Sequence, residues 1–418
     1  MMRVTNNMIH SNLVNNLNRQ QEAMSKNQME GSTGTRINSP SDDPAGSARK
    51  MFYETRLAEY EQYGKNVVSA KGRMEFTDGQ LAAVTDILHR IREITVQAAN
   101  GTYNEFDRSE AAGREVEELL MGLVDIANSK DPTGRNLFGG SVIEREAFRP
   151  IFANSLVEGV DNGRALTGVV YQGDNLGLAR EIERGTQVDV STPGSKAFWG
   201  TNMTISSNQD ASNFVALGDG SFSIDGIRIE VNAGDNLDDI VNKINNSPIE
   251  VSASVGGNNG LVLTSDTPHQ IWMEDRAGGT ILQDLGLIDP ANTTPGNNIN
   301  PAAIVAGQSI FDVVIQLRDD LLNNDVLSIG GRDLEGLDMA MENVLRYQAE
   351  VSSRVGRLDK HYRRLTWDHT MTQELRSKNE SVDFAETIMN FKWLENVHGY
   401  TLRVGADLIK PTLMDFLR

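Results

Sequence analysis

Steps of alternately three and four residues from Tyr60 land on Tyr63, Val67, Ala70, Met74, Thr77, Leu81, Val84, Leu88, Ile91, Thr95 and Ala98, so only two threonines interrupt the series. The same stepping from Leu334 visits Leu337, Met341, Val344, Gln348, Val351, Val355, Leu358, Tyr362, Leu365, His369 and Thr372, which is again mostly apolar. A 3.5-residue period held over about five heptads predicts a coiled coil rather than a short surface helix. Each seam is roughly 57 Å long at about 1.5 Å rise per residue. Equal lengths predict that the two pair side by side. The seam residues are then Val67, Met74, Leu81, Leu88 and Ile91 on one arm, and Leu337, Val344, Val351, Leu358 and Leu365 on the other. A third stripe, Val116, Leu119, Leu123 and Ile126, follows the Asn100-Gly101 break and would complete a small bundle.

The two ends read differently. Met2, Asn6, Ile9, Leu13, Leu17, Gln20 and Met24 form a stripe diluted by amides. Val382, Ala385, Met389, Trp393, Val397, Tyr400, Val404 and Leu408 form its counterpart at the other end. The first is too polar and too short to hold a helix alone. Residues 1–40 and 381–418 are therefore expected to be disordered in the monomer and to become helical on assembly. The expected interface is Met2, Ile9, Leu13, Leu17, Met24, Val382, Met389, Val397, Val404 and Leu408.

Between the arms the period changes. Phe222, Ile224, Ile227, Ile229 and Val231 alternate around Asp225-Gly226, a type I′ hairpin signal. A helix is expected from Leu237, capped by Asp235 or Asn236, with Ile240, Val241 and Ile244 inward. Strands follow at Glu250 to Val255 and Leu261 to Thr264, and a helix with Ile310, Val314, Leu317 and Leu321 on one face leads back to the second arm. Residues 45–131 and 302–410 contain no proline and no glycine precedes Gly31, so breakers cluster in the middle. The fold expected is α+β, with long antiparallel helical arms from both termini around a β-rich insertion. Its parts are a terminal segment at 1–40, an N-terminal arm at 41–140, a first β-rich region at 141–218, a second small α/β region at 219–300, a C-terminal arm at 301–380 and a terminal segment at 381–418.

Charge follows the same division. The net charge is −19, and residues 141–332, with 11 basic against 25 acidic side chains, hold most of it. Nearly neutral arms can pack against copies of themselves, whereas an acidic middle stays solvated. Nucleic acid is an unsuitable partner for such a chain. No apolar run reaches membrane-spanning length, and the N-terminus lacks the apolar core of a secretory signal. The absence of cysteine removes disulfides, thiolate metal sites and thiol nucleophiles.

Catalytic chemistry is equally sparse. The six histidines are scattered, with no i, i+4 pair and no His-Glu-x-x-His. No phosphate-binding glycine loop or Gly-x-Ser-x-Gly elbow occurs, and the aspartates at 235–239 lack the alternation of a calcium loop. No catalytic, cofactor-binding or metal-binding residue is assigned, no cofactor is expected, and an enzyme is not.

Several phrases resemble a known family. STGTRINSPSDDPAG (32–46) resembles the N-terminal motif of bacterial flagellins and hook-associated proteins, with Asp43 suited to cap a helix that starts at Pro44. ITVQAANGTYNEFDR (94–108) is similar to that family's bend between helices. KNESVDFAETIMNF (378–391) and the ending KPTLMDFLR are similar to its C-terminal motif. DPTGRNLFGGS (131–141), the stretch from Tyr171 to Gly200, SIFDVVIQLRDDLLNND (309–325) and the order Asp42-Asp43-Pro44 favour the type 3 hook-associated, or hook–filament junction, proteins over flagellin. GSFSIDGIRIEVNAGDNLDDIVNKIN (220–245) resembles a small repeat of hook-associated proteins and the filament cap that compact junction proteins often lack. That repeat leaves the type 1 hook-associated protein, usually a longer chain, as an alternative.

The resemblance implies a structural subunit that leaves the cell unfolded through the flagellar export channel and reaches the flagellum, outside the membrane or in the periplasm. It implies a ring of copies that meets type 1 hook-associated protein on one side and nucleates flagellin on the other. A cytoplasmic export chaperone is the further partner implied, with neither membrane nor nucleic acid. A minor flagellin-type filament subunit is the second reading.

Overall fold

The computed structural model describes residues 6–100, 107–142, 145–154, 164–276, 279–292 and 295–408. The chain divides into two compact units, one of residues 1–65 and 362–418, the other of residues 66–361. The division falls within the two longest helices, α2 (Pro44–Ala98) and α9 (Leu334–Glu380).

In the unit of residues 66–361, α2 and α9 run antiparallel. Lys71 Nζ meets Asp359 Oδ1 at 2.9 Å, Ser352 Oγ donates to Asp78 Oδ1 at 2.7 Å and Arg92 Nε meets Asp338 Oδ1 at 2.6 Å. Steps of seven and fourteen residues up α2 are thus matched by equal steps down α9. This heptad-spaced polar rail fixes the register of the apolar seam. Val67, Met74, Leu81, Leu88, Ile91, Leu337, Val344, Val351 and Leu358 are all buried in it. The two threonines that interrupt the α2 series are buried as well, and each settles its hydroxyl on its own helix. Thr77 Oγ1 donates to the Arg73 carbonyl at 3.0 Å and Thr95 Oγ1 to that of Ile91 at 2.7 Å.

A π-helical turn (Asp107–Ala112) leads into α3 (Gly113–Ala127). Its buried row is Val116, Leu120, Leu123, Val124 and Ala127. Leu119 and Ile126, expected inward, are half-buried, because a short helix at 3.6 residues per turn drifts off a strict heptad. The hairpin β1 (Phe148–Asn154) with β2 (Arg164–Tyr171) follows, then β3 (Ala179–Glu183) with β4 (Thr186–Asp189), then the single turn α4 (Gly194–Ala197).

Here three distant phrases of the sequence meet. Phe138 from 131–141, Phe198 from 171–200 and Phe311 from 309–325 join Phe148 in a buried aromatic cluster. Phe138 and Phe198 pack edge to face at 4.9 Å, and Phe198 stacks on Phe311 at 5.7 Å. The Tyr171 ring closes the cluster at 5.0 Å from Phe148. Burial raises the Tyr171 hydroxyl's pKa, and the neighbouring Asp174 charge adds to this.

The insertion begins and ends at one point: the Gly200 amide donates to the Gln308 carbonyl at 2.8 Å and the Ile310 amide to that of Phe198 at 2.9 Å. Inside it are β5 (Thr204–Ser206), β6 (Gly220–Ile224), β7 (Ile227–Val231), α5 (Leu237–Asn245), β8 (Val251–Val255), β9 (Leu261–Ser265), β10 (Met273–Asp275), α6 (Ile281–Asp284) and β11 (Ile304–Ala306). They form two antiparallel sheets, ordered β10-β6-β7 and β11-β5-β9-β8. Asp225 and Gly226 have φ of 50° and 82°, as a type I′ turn between β6 and β7 requires. Asn236, not Asp235, caps α5, in a reciprocal pair with Asp239. Leu237, Ile240 and Ile244 of α5 enter the core between the sheets. β5 and β11 flank the stretch expected at 219–300, since the inner edge of the second sheet needed strands from beyond both its ends.

The chain then enters α7 (Ile310–Leu322), with Ser309 and Asp312 forming a capping box, and passes α8 (Val326–Ser328) and a second π-helical turn (Ile329–Asp333) into α9. Buried Arg318 of α7 donates to Glu117 Oε2 at 2.6 Å and to the Leu166 carbonyl at 2.8 Å, tying α7 to α3 and β2.

In the unit of residues 1–65 and 362–418, α1 (Asn6–Thr33) packs on α10 (Phe384–Leu408), and the unit also contains residues 44–65 of α2 and 362–380 of α9. Leu365 is buried, whereas Tyr362, which the heptad stepping put on the seam, is 42% exposed.

Candidate assembly interface

The two end motifs of the sequence, 60 residues or fewer from either terminus, lock together. Thr35 and Ser381 form an isolated antiparallel bridge, and the Arg36 amide donates to the Glu380 carbonyl at 2.7 Å. Asn379 Nδ2 donates to the Gly46 carbonyl at 2.9 Å, and Lys50 meets Glu380 at 3.0 Å. Asp43 caps α2 from the residue before Pro44, where its Oδ1 accepts from the Gly46 amide at 2.8 Å. That amide, and then the Arg36 guanidinium at 3.1 Å, holds the Asp43 carboxyl below its ordinary pKa. Lys26 on α1 does the same for Asp42, helped by the Ser39 amide. The polar phrase of 32–46 is thus a clasp that sets where α1 leaves α2.

Beyond the clasp, α1 presents Leu13, Leu17, Gln20 and Met24 to α10, all half-buried. Leu13 lies against Gly405, where a Cβ would sit 2.8 Å from Leu13 Cδ2, so the glycine sets how closely the helices approach. Gln20 Nε2 donates to Thr401 Oγ1 at 3.0 Å. The seam is poorly satisfied: Gln20 Oε1, Asn27 Oδ1 and His398 Nδ1 are buried without a hydrogen-bond partner. Each such atom costs stability relative to water.

The face of α10 turned to α1 comprises Thr387, Phe391, Leu394, His398, Thr401 and Gly405. It was not legible as a stripe, because threonine, histidine and glycine dilute it. The apolar stripe that was legible lies about a third of a turn round the helix. Met389, Trp393, Tyr400 and Val404 on it are 67%, 63%, 67% and 57% exposed, while Val397 and Val382 are half-buried. Among the described residues, the exposed members of the α10 stripe are therefore not covered by the α1 stripe. Met2 lies outside the described residues, as do the side chains of Ile9 and Leu408, residues 410–418 and the middle of the 94–108 phrase. Among the described residues no group of three or more His, Asp or Glu could hold a metal ion.

Parts of the chain are similar to known proteins. A family described as the bacterial flagellin N-terminal helical region matches residues 4–142, and one described as the flagellin hook IN motif matches residues 215–267. A flagellar filament 30.7 kDa core protein of Treponema maltophilum is 33% identical over 159 residues, 38% of this chain and 53% of that protein. Flagellar hook-associated protein 3 of Salmonella typhimurium is 28% identical over 147 residues, 35% of this chain and 46% of that protein. The chain thus spans about half the length of the curated relatives it matches. The crystal structure of a flagellar hook-associated protein 3 from Legionella pneumophila superposes with a TM-score of 0.47 at 18% identity, over 78% of this chain and 98% of that one. The chain carries the N-terminal helical region of bacterial flagellins and, inserted between its arms, the flagellin hook IN motif.

Proposed function

We propose that this protein is a structural adaptor of the bacterial flagellum that forms a ring at the hook–filament junction and nucleates flagellin polymerisation. The observation that carries the reading is the exposed row Met389, Trp393, Tyr400 and Val404 on a helix whose other face is already occupied. A row of large apolar side chains left in water is an interface awaiting a partner. The clasp holds that row in a defined direction, so copies related by rotation present the same surface. The row packs against the terminal helices of neighbouring subunits, and the α1–α10 seam, with its unpaired polar atoms, orders fully only then.

The hook IN motif and the relatives named hook-associated protein 3 support the junction over the filament. The partners are then copies of itself, type 1 hook-associated protein below and flagellin above, with an export chaperone before secretion. The acidic insertion faces outward. A filament subunit is the second reading, favoured by the identity to the Treponema filament core protein. Gold-labelled antibody on isolated native flagella separates the two. One cluster between hook and filament is expected, and label along the filament would overturn the junction role.

A further inference from the structure

A cleft in the unit of residues 66–361 carries charge that the helix packing does not use. It encloses about 710 Å³ between α2, the turn at 131–135 and the start of β3. Val68, Leu178 and Val190 give it apolar walls, and Arg73, Arg135 and Arg180 line it from three separate elements. Arg73 is committed to the fold: Nη1 donates to Asp131 Oδ2 at 2.6 Å and Nη2 to the Asn136 carbonyl at 2.7 Å.

The carboxylate that lines the cleft, Asp131, is already engaged. Asp131 Oδ1 accepts from the Thr133 amide at 2.8 Å, the Thr133 hydroxyl at 2.5 Å and the Arg135 amide at 3.1 Å. Glu181 accepts from the Gly185 amide at 3.1 Å, and Glu75 lies 3.7 Å from Lys71. Arg135 and Arg180 make no ion pair among the described residues. Their charges are nevertheless felt at Arg73, whose pKa is drawn down first by burial and then by these two neighbours, against the pull of Asp131. Two exposed guanidiniums without an ion pair among the described residues thus line one cleft in a chain of net charge −19.

We propose that this cleft is a binding site for a tetrahedral oxyanion, a phosphate or sulfate group, held by Arg135 and Arg180. Guanidinium forks match such oxygens two at a time, which a point charge does not. Arg73 stays on Asp131 and sets the positive floor. The hydroxyl of Ser69, which also lines the cleft, supplies a further donor. The apolar walls accept the organic part of an ester. The site is independent of the assembly role.

The test is calorimetric titration of the full chain at low ionic strength with sodium phosphate, sodium sulfate and phenyl phosphate, with acetate and chloride as comparison anions. Saturable one-site binding of phosphate or sulfate is expected, at least tenfold tighter than acetate or chloride. Arg135→Gln and Arg180→Gln should each weaken it at least fivefold, and the double variant should abolish it while melting like wild type in anion-free buffer. Tighter binding of phenyl phosphate identifies an ester as the ligand, and equal binding identifies the free ion. Absence of saturable binding, equal affinity for acetate, or undiminished binding by the double variant would each overturn the proposal.

Discussion

Two helix pairs in this molecule are written with similar stepping and end in opposite conditions. In the unit of residues 66–361, α2 and α9 bury every assigned seam residue they place there, and their intruding threonines bond to their own backbones. In the other unit, α1 and α10 meet across a face containing three unpaired buried polar atoms, and α10 leaves a row of large apolar side chains in water. The first pair completes a fold by itself. The second is stable enough to present a surface and too weak to satisfy it, which is what a subunit needs if its contacts are to form only beside other copies.

The sharpest way to break that contrast is a proline in the closed seam. Leu88→Pro should cost about 3 kcal/mol in backbone terms, with packing losses of about 2–5 kcal/mol more. Chemical denaturation followed by circular dichroism should show an unfolded or severely destabilised chain; wild-type stability would mean α2–α9 packing is not the framework of this unit.

The open surface should respond in the reverse sense. Met389→Ala with Trp393→Ala should leave the denaturation midpoint within about 0.5 kcal/mol of wild type, as exposed substitutions do. The same pair should remove flagellar incorporation, since buried interface aromatics carry about 2 kcal/mol or more each. Normal incorporation, scored by motility and antibody label, would remove this row from the interface.

A smaller effect is titratable. Asp333, in the second π-helical turn, is buried, with Oδ2 unpaired and Oδ1 accepting from Arg332 Nε at 3.1 Å. Burial, and then the Asp320 carboxyl beside it, raises its pKa from 3.8 to about 6. The folded state therefore holds this proton more tightly than the unfolded chain. The penalty is absent below about pH 4, grows as pH rises and is complete above about pH 6. Asp333→Asn should stabilise the protein at pH 8 by on the order of 1–2 kcal/mol and do little at pH 4. Melting curves at the two pH values check this, and equal effects at both would refute the assignment.

The smallest expected change to global stability comes from Leu13→Pro. It should abolish amide protection across α1 and α10 in hydrogen exchange while leaving residues 66–361 protected as in wild type. Loss of protection in both units would mean the terminal helices are integral to the monomer's stability.

How much of this was legible depended on whether a position's partner shares its own helix or hairpin. The ten seam residues, the Asp225-Gly226 turn, the α5 start and the Asp43-Pro44 cap follow from local spacing, because the period and the orphan amides of a helix end are local facts. Tyr362 was misplaced on the seam and Leu119 and Ile126 were misplaced on α3, since a heptad count ignores the drift of a real helix. The contacts that join the two halves of the clasp escaped the reading: nothing local to Arg36 predicts Glu380, which is hundreds of residues away. The face of α10 against α1 was hidden by its threonines, histidine and glycine, which serve close approach rather than hydrophobicity.

The sequence alone determined the arms, the β-rich insertion, the hairpin and the presence of an apolar stripe at each end, because periodicity encodes which side of an element must leave water. Only the tertiary structure decided which stripes are satisfied within the chain. It paired α1 with the polar-diluted face of α10 and left Met389 and Trp393 outside. It also brought Phe138, Phe198 and Phe311 into one cluster. Such choices depend on packing between residues far apart in the chain, and a one-dimensional pattern carries the need for burial without naming the surface that meets it.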